Sequence, residues 1–122
     1  MRSEKVYLQD MVEALRELAA FVKGADDPGF RQNAILRKAV LMQLVIVGEA
    51  GNHIGPELRA KYPAIPWADI IGFRNYAVHG YFQMNWEIVW RTAVEDAPAL
   101  LPGIESILAN EFPEDPLHRR TD

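Results

Sequence analysis

The sequence predicts an all-α protein, a four- to five-helix up-down bundle that pairs with a second copy of itself. Three observations carry this. Apolar residues recur every three or four positions towards both ends of the chain, no alternating strand pattern interrupts them, and the stretch from Ala39 to Gly48 is apolar on nearly every side. A small helical domain has few ways to surround one helix completely, so that stretch points to a homodimer whose second subunit covers it. The 122 residues suffice for one domain, assigned to 1–112, followed by an acidic, proline-containing tail over 113–122.

The first helix is read from Leu8, Met11, Leu15, Leu18 and Val22, with Ser3 as its cap. Gly24 and the run Asp26-Asp27-Pro28-Gly29 stop it in a turn. A second helix is expected from about Phe30 to the Gly51–Gly55 region, with a break before Tyr62-Pro63. Pro66 suits the first position of a third helix ending at His79, where Gly80 stops it. The last helix starts near Asn85 and carries a seam of Trp86, Trp90, Ala93, Ala97, Leu100, Ile104 and Ile107. Pro98 and Pro102 predict a kink in it or two consecutive helices. Beyond Ile107 the chain is expected to fray.

Composition removes several functions. Without cysteine there is no disulfide, iron–sulfur cluster, thiolate zinc site or cysteine nucleophile. No apolar leader or bilayer-length segment is visible, so no membrane is expected and the cytoplasm is the expected compartment. No cofactor is expected either. The net charge of −4 argues against binding nucleic acid by bulk positive charge, and no DNA contact is expected. Yet residues 93–122 hold seven acids against two arginines, and the first 92 residues are nearly neutral.

One segment, Phe73-Arg74-Asn75-Tyr76-Ala77-Val78-His79-Gly80-Tyr81-Phe82, concentrates groups able to do chemistry. A histidine titrating near neutrality can take a proton from a ribose 2′-hydroxyl or give one to a leaving 5′-oxygen. A guanidinium holds phosphate and stabilises the extra charge of the transition state. Arg74 and His79 would lie about 140° apart on a continuous helix, which does not focus them on one point. A helix end at Gly80 would free His79 and Tyr81 to turn towards the end of the bundle. One histidine cannot easily be both acid and base. A symmetric dimer presents two copies of each across one groove, and separates the acid from the base. Asn75, four residues before His79, is placed to orient the imidazole. Glu49 is a candidate polar partner in the groove, or equally a group that hydrogen-bonds to a neighbouring helix. Glu49 and His53 have i, i+4 spacing, but no third ligand accompanies them and no metal is assigned.

The words GFRNYAVHGYF, IPWADI and NWEIVW, with GEAGNHI and LLPGIESIL, resemble the HepT-like proteins of the HEPN superfamily, the toxin halves of MNT–HEPN toxin–antitoxin pairs. The resemblance covers most of the chain. It implies a homodimeric helical bundle with a metal-independent endoribonuclease site at the dimer interface. Arg74 and His79 match the catalytic pair, with Asn75 beside them. Tyr81 matches the tyrosine that a partner nucleotidyltransferase antitoxin modifies with AMP. The competing expectation is a non-catalytic helical module that presents substrate to such a nucleotidyltransferase.

Overall fold

Helix α1 spans Glu4–Val22, and Ser3 caps it as expected, its hydroxyl accepting from Val6 N at 3.3 Å. Leu8, Met11, Leu15 and Leu18 are buried, and Gly24 closes the corner at φ 79°, a left-handed conformation that favours glycine. The structure, a computed structural model, describes residues 2–113. The assigned tail therefore lies outside the described residues, apart from Pro113.

The Asp26–Gly29 run is more than a turn. Asp26 accepts from Gly29 N at 2.8 Å and starts a short helix, α2, over Asp27–Gln32. Asn33 then ends α2 and caps α3, which runs Ala34–Asn52. The expected start at Phe30 shifts accordingly, because the Asn33 side chain accepts from Leu36 N at 3.0 Å and begins a separate helix. Helix α4 follows at Pro56–Lys61, and α5 at Trp67–His79. Pro66 occupies the cap position of α5, one residue earlier than anticipated. A single 3₁₀ turn, Tyr81–Gln83, leads to α6 at Trp86–Arg91, capped by Asn85.

The proline-bearing last helix does not break. It opens into one π turn over Thr92–Asp96, where Ala97 N–H reaches back to Thr92 O, and continues as α7 over Ala97–Glu111. In a regular helix the Pro98 ring would crowd the carbonyl four residues before it, and the wider turn relieves that crowding. α7 passes Ile107 by a full turn because its end is tied down. Glu111 accepts from Tyr62 Oη at 2.6 Å and from Lys61 Nζ at 3.1 Å. These two donors hold the Glu111 carboxyl below the usual carboxylate range, while the same hydrogen bond to Glu111 raises the Tyr62 phenol.

The bundle is all-α: among the described residues there is no strand. α3 packs against α1 and α5, α7 packs against α1, and α6 lies against α2 and α3. Phe30, Val40, Val89, Ile104 and Ile107 are among the fully buried side chains at the centre. Trp67 is buried too, with its indole N–H satisfied by Tyr62 O at 3.0 Å. Helix α3 is not covered all round. Ile35 is 83% exposed and Met42 55%, so one apolar stripe of this helix faces outwards. Among the described residues no helix is long and apolar enough to cross a membrane.

Candidate active site

Helices α3 and α5 meet at Gly48. A Cβ on this residue would overlap Arg74 Cβ and sit 2.9 Å from the Ile70 carbonyl oxygen. Only a glycine lets the two backbones approach this closely, and the approach lays the Arg74 side chain along α3. The next residue, Glu49, meets it there: Arg74 Nε lies 2.9 Å from Glu49 Oε1. This is an ion pair whose angle falls short of a hydrogen bond, and water does not reach either atom. Arg74 Nη1 donates to Asn75 Oδ1 at 3.0 Å. Arg74 is 29% exposed, so its guanidinium is oriented by two neighbours yet still open to a ligand.

Asn75 thus holds Arg74, a contact that its spacing from His79 had not suggested. His79 is the last residue of α5 and is exposed. Because α5 is continuous from Trp67 to His79, Arg74 and His79 keep the angular separation of a regular helix. Gly80 ends the helix at a negative φ of −113°, and its N–H bonds to Tyr76 O at 2.8 Å. Tyr76 Oη in turn accepts from Asn85 N at 2.9 Å, which clamps the start of α6 to α5. Between these anchors the 3₁₀ turn presents Tyr81 and Phe82 to the outside, Phe82 being 97% exposed.

Residues seven apart lie on one stripe of a helix. On α3 that stripe holds Ile35, Met42 and Glu49; on α5 it holds Ile71, Arg74 and Val78. The Glu49–Arg74 pair joins the two stripes into one face, with an exposed apolar flank and a charged centre.

The carboxylate of Glu49 also receives His53, with Nε2 to Oε2 at 3.2 Å. The residue completing this cluster is thus a guanidinium. The His53 ring lies flat on Tyr7, centroids 4.5 Å apart and planes 5° apart, and the Arg2 guanidinium sits over the Tyr7 ring at 4.9 Å from its centroid. Sequence reading missed this arrangement. Tyr7 and His53 are far apart in the chain, and no local pattern pairs them. A cavity of about 520 Å³ also opens between α1, α3, α5 and the π turn. It holds none of Arg74, His79, Tyr81 and Glu49, and its polar lining includes Asp69, Glu95 and Asp96, a charge that disfavours phosphate.

Residues 11–107 match the family described as Ribonuclease HepT-like. The chain belongs to the HepT-like family. This HepT-like protein is 33% identical to a Methanocaldococcus jannaschii protein described as a "Putative RNase", over 87% of this chain and 97% of the relative. It is 32% identical to another so described from Caldanaerobacter subterraneus subsp. tengcongensis, covering 91% and 99%. The "Probable ribonuclease HepT" of Thermococcus cleftensis is 31% identical over 87% and 96%. No solved structure matches the chain. Ribonuclease is the activity attached to this family, and the all-α architecture is the one that the HEPN superfamily implies. The matched segment contains Glu49, His53, Arg74, Asn75, His79 and Tyr81, whereas Arg2 and Tyr7 precede it.

Proposed function

We propose that this HepT-like protein is a metal-independent endoribonuclease acting as a homodimer, the toxin of a toxin–antitoxin pair. The supporting observation is the single face of α3 and α5, where Arg74, held by Glu49 and Asn75, shares a helix stripe with the exposed Val78 and faces the α3 stripe that carries the exposed Met42 and Ile35 further along. Pairing two such faces buries the apolar flank and brings two Arg74–His79 sets together. One His79 accepts the proton of a ribose 2′-hydroxyl. The 2′-oxygen bonds to phosphorus, the bond from phosphorus to the 5′-oxygen breaks, and the second His79 protonates that oxygen. The products are a 2′,3′-cyclic phosphate and a free 5′-hydroxyl. Arg74 carries the charge that accumulates on the phosphoryl oxygens.

Tyr81 is the control point. Its exposed position on the 3₁₀ turn gives a nucleotidyltransferase antitoxin access to the phenol oxygen, and AMP added there sets a phosphate and a purine beside the groove. The test is induction of wild type, His79→Ala and Arg74→Ala in cells lacking the partner. Wild type should arrest growth and cleave RNA, and both variants should be harmless; three equally harmless proteins with intact RNA end this reading. Incubation with the partner and ATP should add one AMP mass to wild type and none to Tyr81→Phe.

A further inference from the structure

The Arg2–Tyr7–His53 stack has no role in the mechanism above, yet it ends beside it. Glu49 offers one oxygen to Arg74 and the other to His53, so a single carboxylate separates the imidazole from the phosphate-binding guanidinium. One face of the His53 ring is covered by Tyr7, while 45% of the side chain remains exposed. The stack is also assembled in advance. Arg2 is paired with Asp10 at 2.5 Å, and Glu4 Oε2 accepts from Gly55 N at 2.6 Å, fixing the chain after His53 against the start of α1. A pre-set aromatic surface loses little side-chain freedom when a ligand lands on it. Every nucleobase has a π-face, and histidine, tyrosine and arginine planes are the surfaces on which unpaired bases stack.

We propose that His53, backed by Tyr7 and Arg2, is a stacking platform for one base of single-stranded RNA, the base neighbouring the phosphate held by Arg74. The choice of RNA as ligand rests on the ribonuclease reading. The platform draws Arg2 and Tyr7 from before the segment that matches the family model, and His53 from within it. It fixes register along the strand without demanding a given base, because stacking tolerates all four.

Binding and cleavage are tested separately. The full-length protein is titrated with a fluorescent octamer of 2′-O-methyl adenosine, which lacks the attacking hydroxyl, and with the same octamer carrying one abasic site moved along the strand. His53→Ala should weaken Kd for the intact octamer by roughly 5- to 150-fold. His53→Phe, which keeps a flat ring and loses the hydrogen bond to Glu49, should return it to within about 3-fold of wild type. At one position the abasic site should weaken wild type by the same factor and leave His53→Ala unaffected. Equal losses in the alanine and phenylalanine variants would assign His53 to holding Glu49 and overturn the platform. So would an abasic scan giving the same profile in wild type and His53→Ala. Cleavage of unmodified RNA by wild type is read independently, so an inactive protein sinks the ribonuclease reading while the binding series still decides the platform.

Discussion

Substituting Gly48 by alanine tests the contact on which the site is built. Alanine adds a Cβ that overlaps Arg74 Cβ and lies 2.9 Å from Ile70 O and 3.2 Å from Arg74 Cγ. Ordinary contacts between such atoms sit at about 3.5–4.0 Å, so α3 and α5 must part by roughly 0.5–1 Å. A backbone carbonyl and a Cβ cannot rotate out of the way. Overpacking of this kind costs about 1–3 kcal/mol, against about 1 kcal/mol gained by replacing glycine in a helix interior. The net is a loss of up to about 2 kcal/mol, or a Tm lowered by up to about 10 °C for a domain of this length. Displacing Arg74 by the same fraction of an ångström to an ångström should cost cleavage up to about a hundredfold. Calorimetry and an RNA cleavage assay measure the two effects. Gly72, also in α5, is the control: an added Cβ there meets nothing within 4 Å, and alanine should stabilise by about 1 kcal/mol. If Gly48→Ala instead melts higher than wild type and cleaves at the same rate, the close approach is not what positions Arg74.

Glu49→Gln keeps the shape and removes a charge that competes with phosphate for Arg74, so KM for RNA should fall while kcat drops roughly tenfold from poorer orientation; unchanged values of both would refute a role for the pair. Met42→Lys puts a charge on the exposed stripe of α3 and should convert a dimer to a monomer by light scattering, with loss of cleavage; an unaltered mass would place the subunit contact elsewhere. Tyr62→Phe removes the strongest donor to Glu111. The folded carboxyl is depressed, so its contribution to stability is present above the unfolded carboxylate pKa and lost as pH falls through the lower folded value. The melting difference between wild type and Tyr62→Phe should therefore be larger at pH 7 than at pH 3, and a difference independent of pH would contradict this.

Local chemistry was legible at several positions where a residue acts on its own neighbours. Ser3 and Asn85 cap the helices they were expected to start, Gly24 takes the left-handed corner, and the spacing of Leu8, Met11, Leu15 and Leu18 marks the buried side of α1. Asp-Asp-Pro-Gly was ambiguous, because an aspartate before proline starts a helix as readily as a turn, and only the double role of Asn33 separates α2 from α3. The residue order showed that the centre of α3 is apolar on nearly every side, but not which side its neighbours leave open. The prolines announced irregularity in the last helix without saying that it would widen and not break. At the site, Arg74, Asn75, His79 and Tyr81 stood together in one decapeptide. The pairing of Arg74 with Glu49, and of His53 with Tyr7, depends on how helices distant in sequence settle against one another.

The π turn at Thr92–Asp96 has a consequence for how this chain tolerates changes in length. A π turn is an α-helix carrying one surplus residue, so the helices on either side keep their facing while the surplus is absorbed locally. Losing one residue from this turn, with Pro98 replaced so that a regular helix can close, would leave Val89 and Ile104 in their present places in the core. The same deletion inside α7 would rotate everything beyond it by about 100° and expose Ile107 and Leu108. Thr92–Asp96 is therefore a point in the last helix where one residue can be lost while the bundle keeps its core, provided that Pro98 is exchanged in the same step.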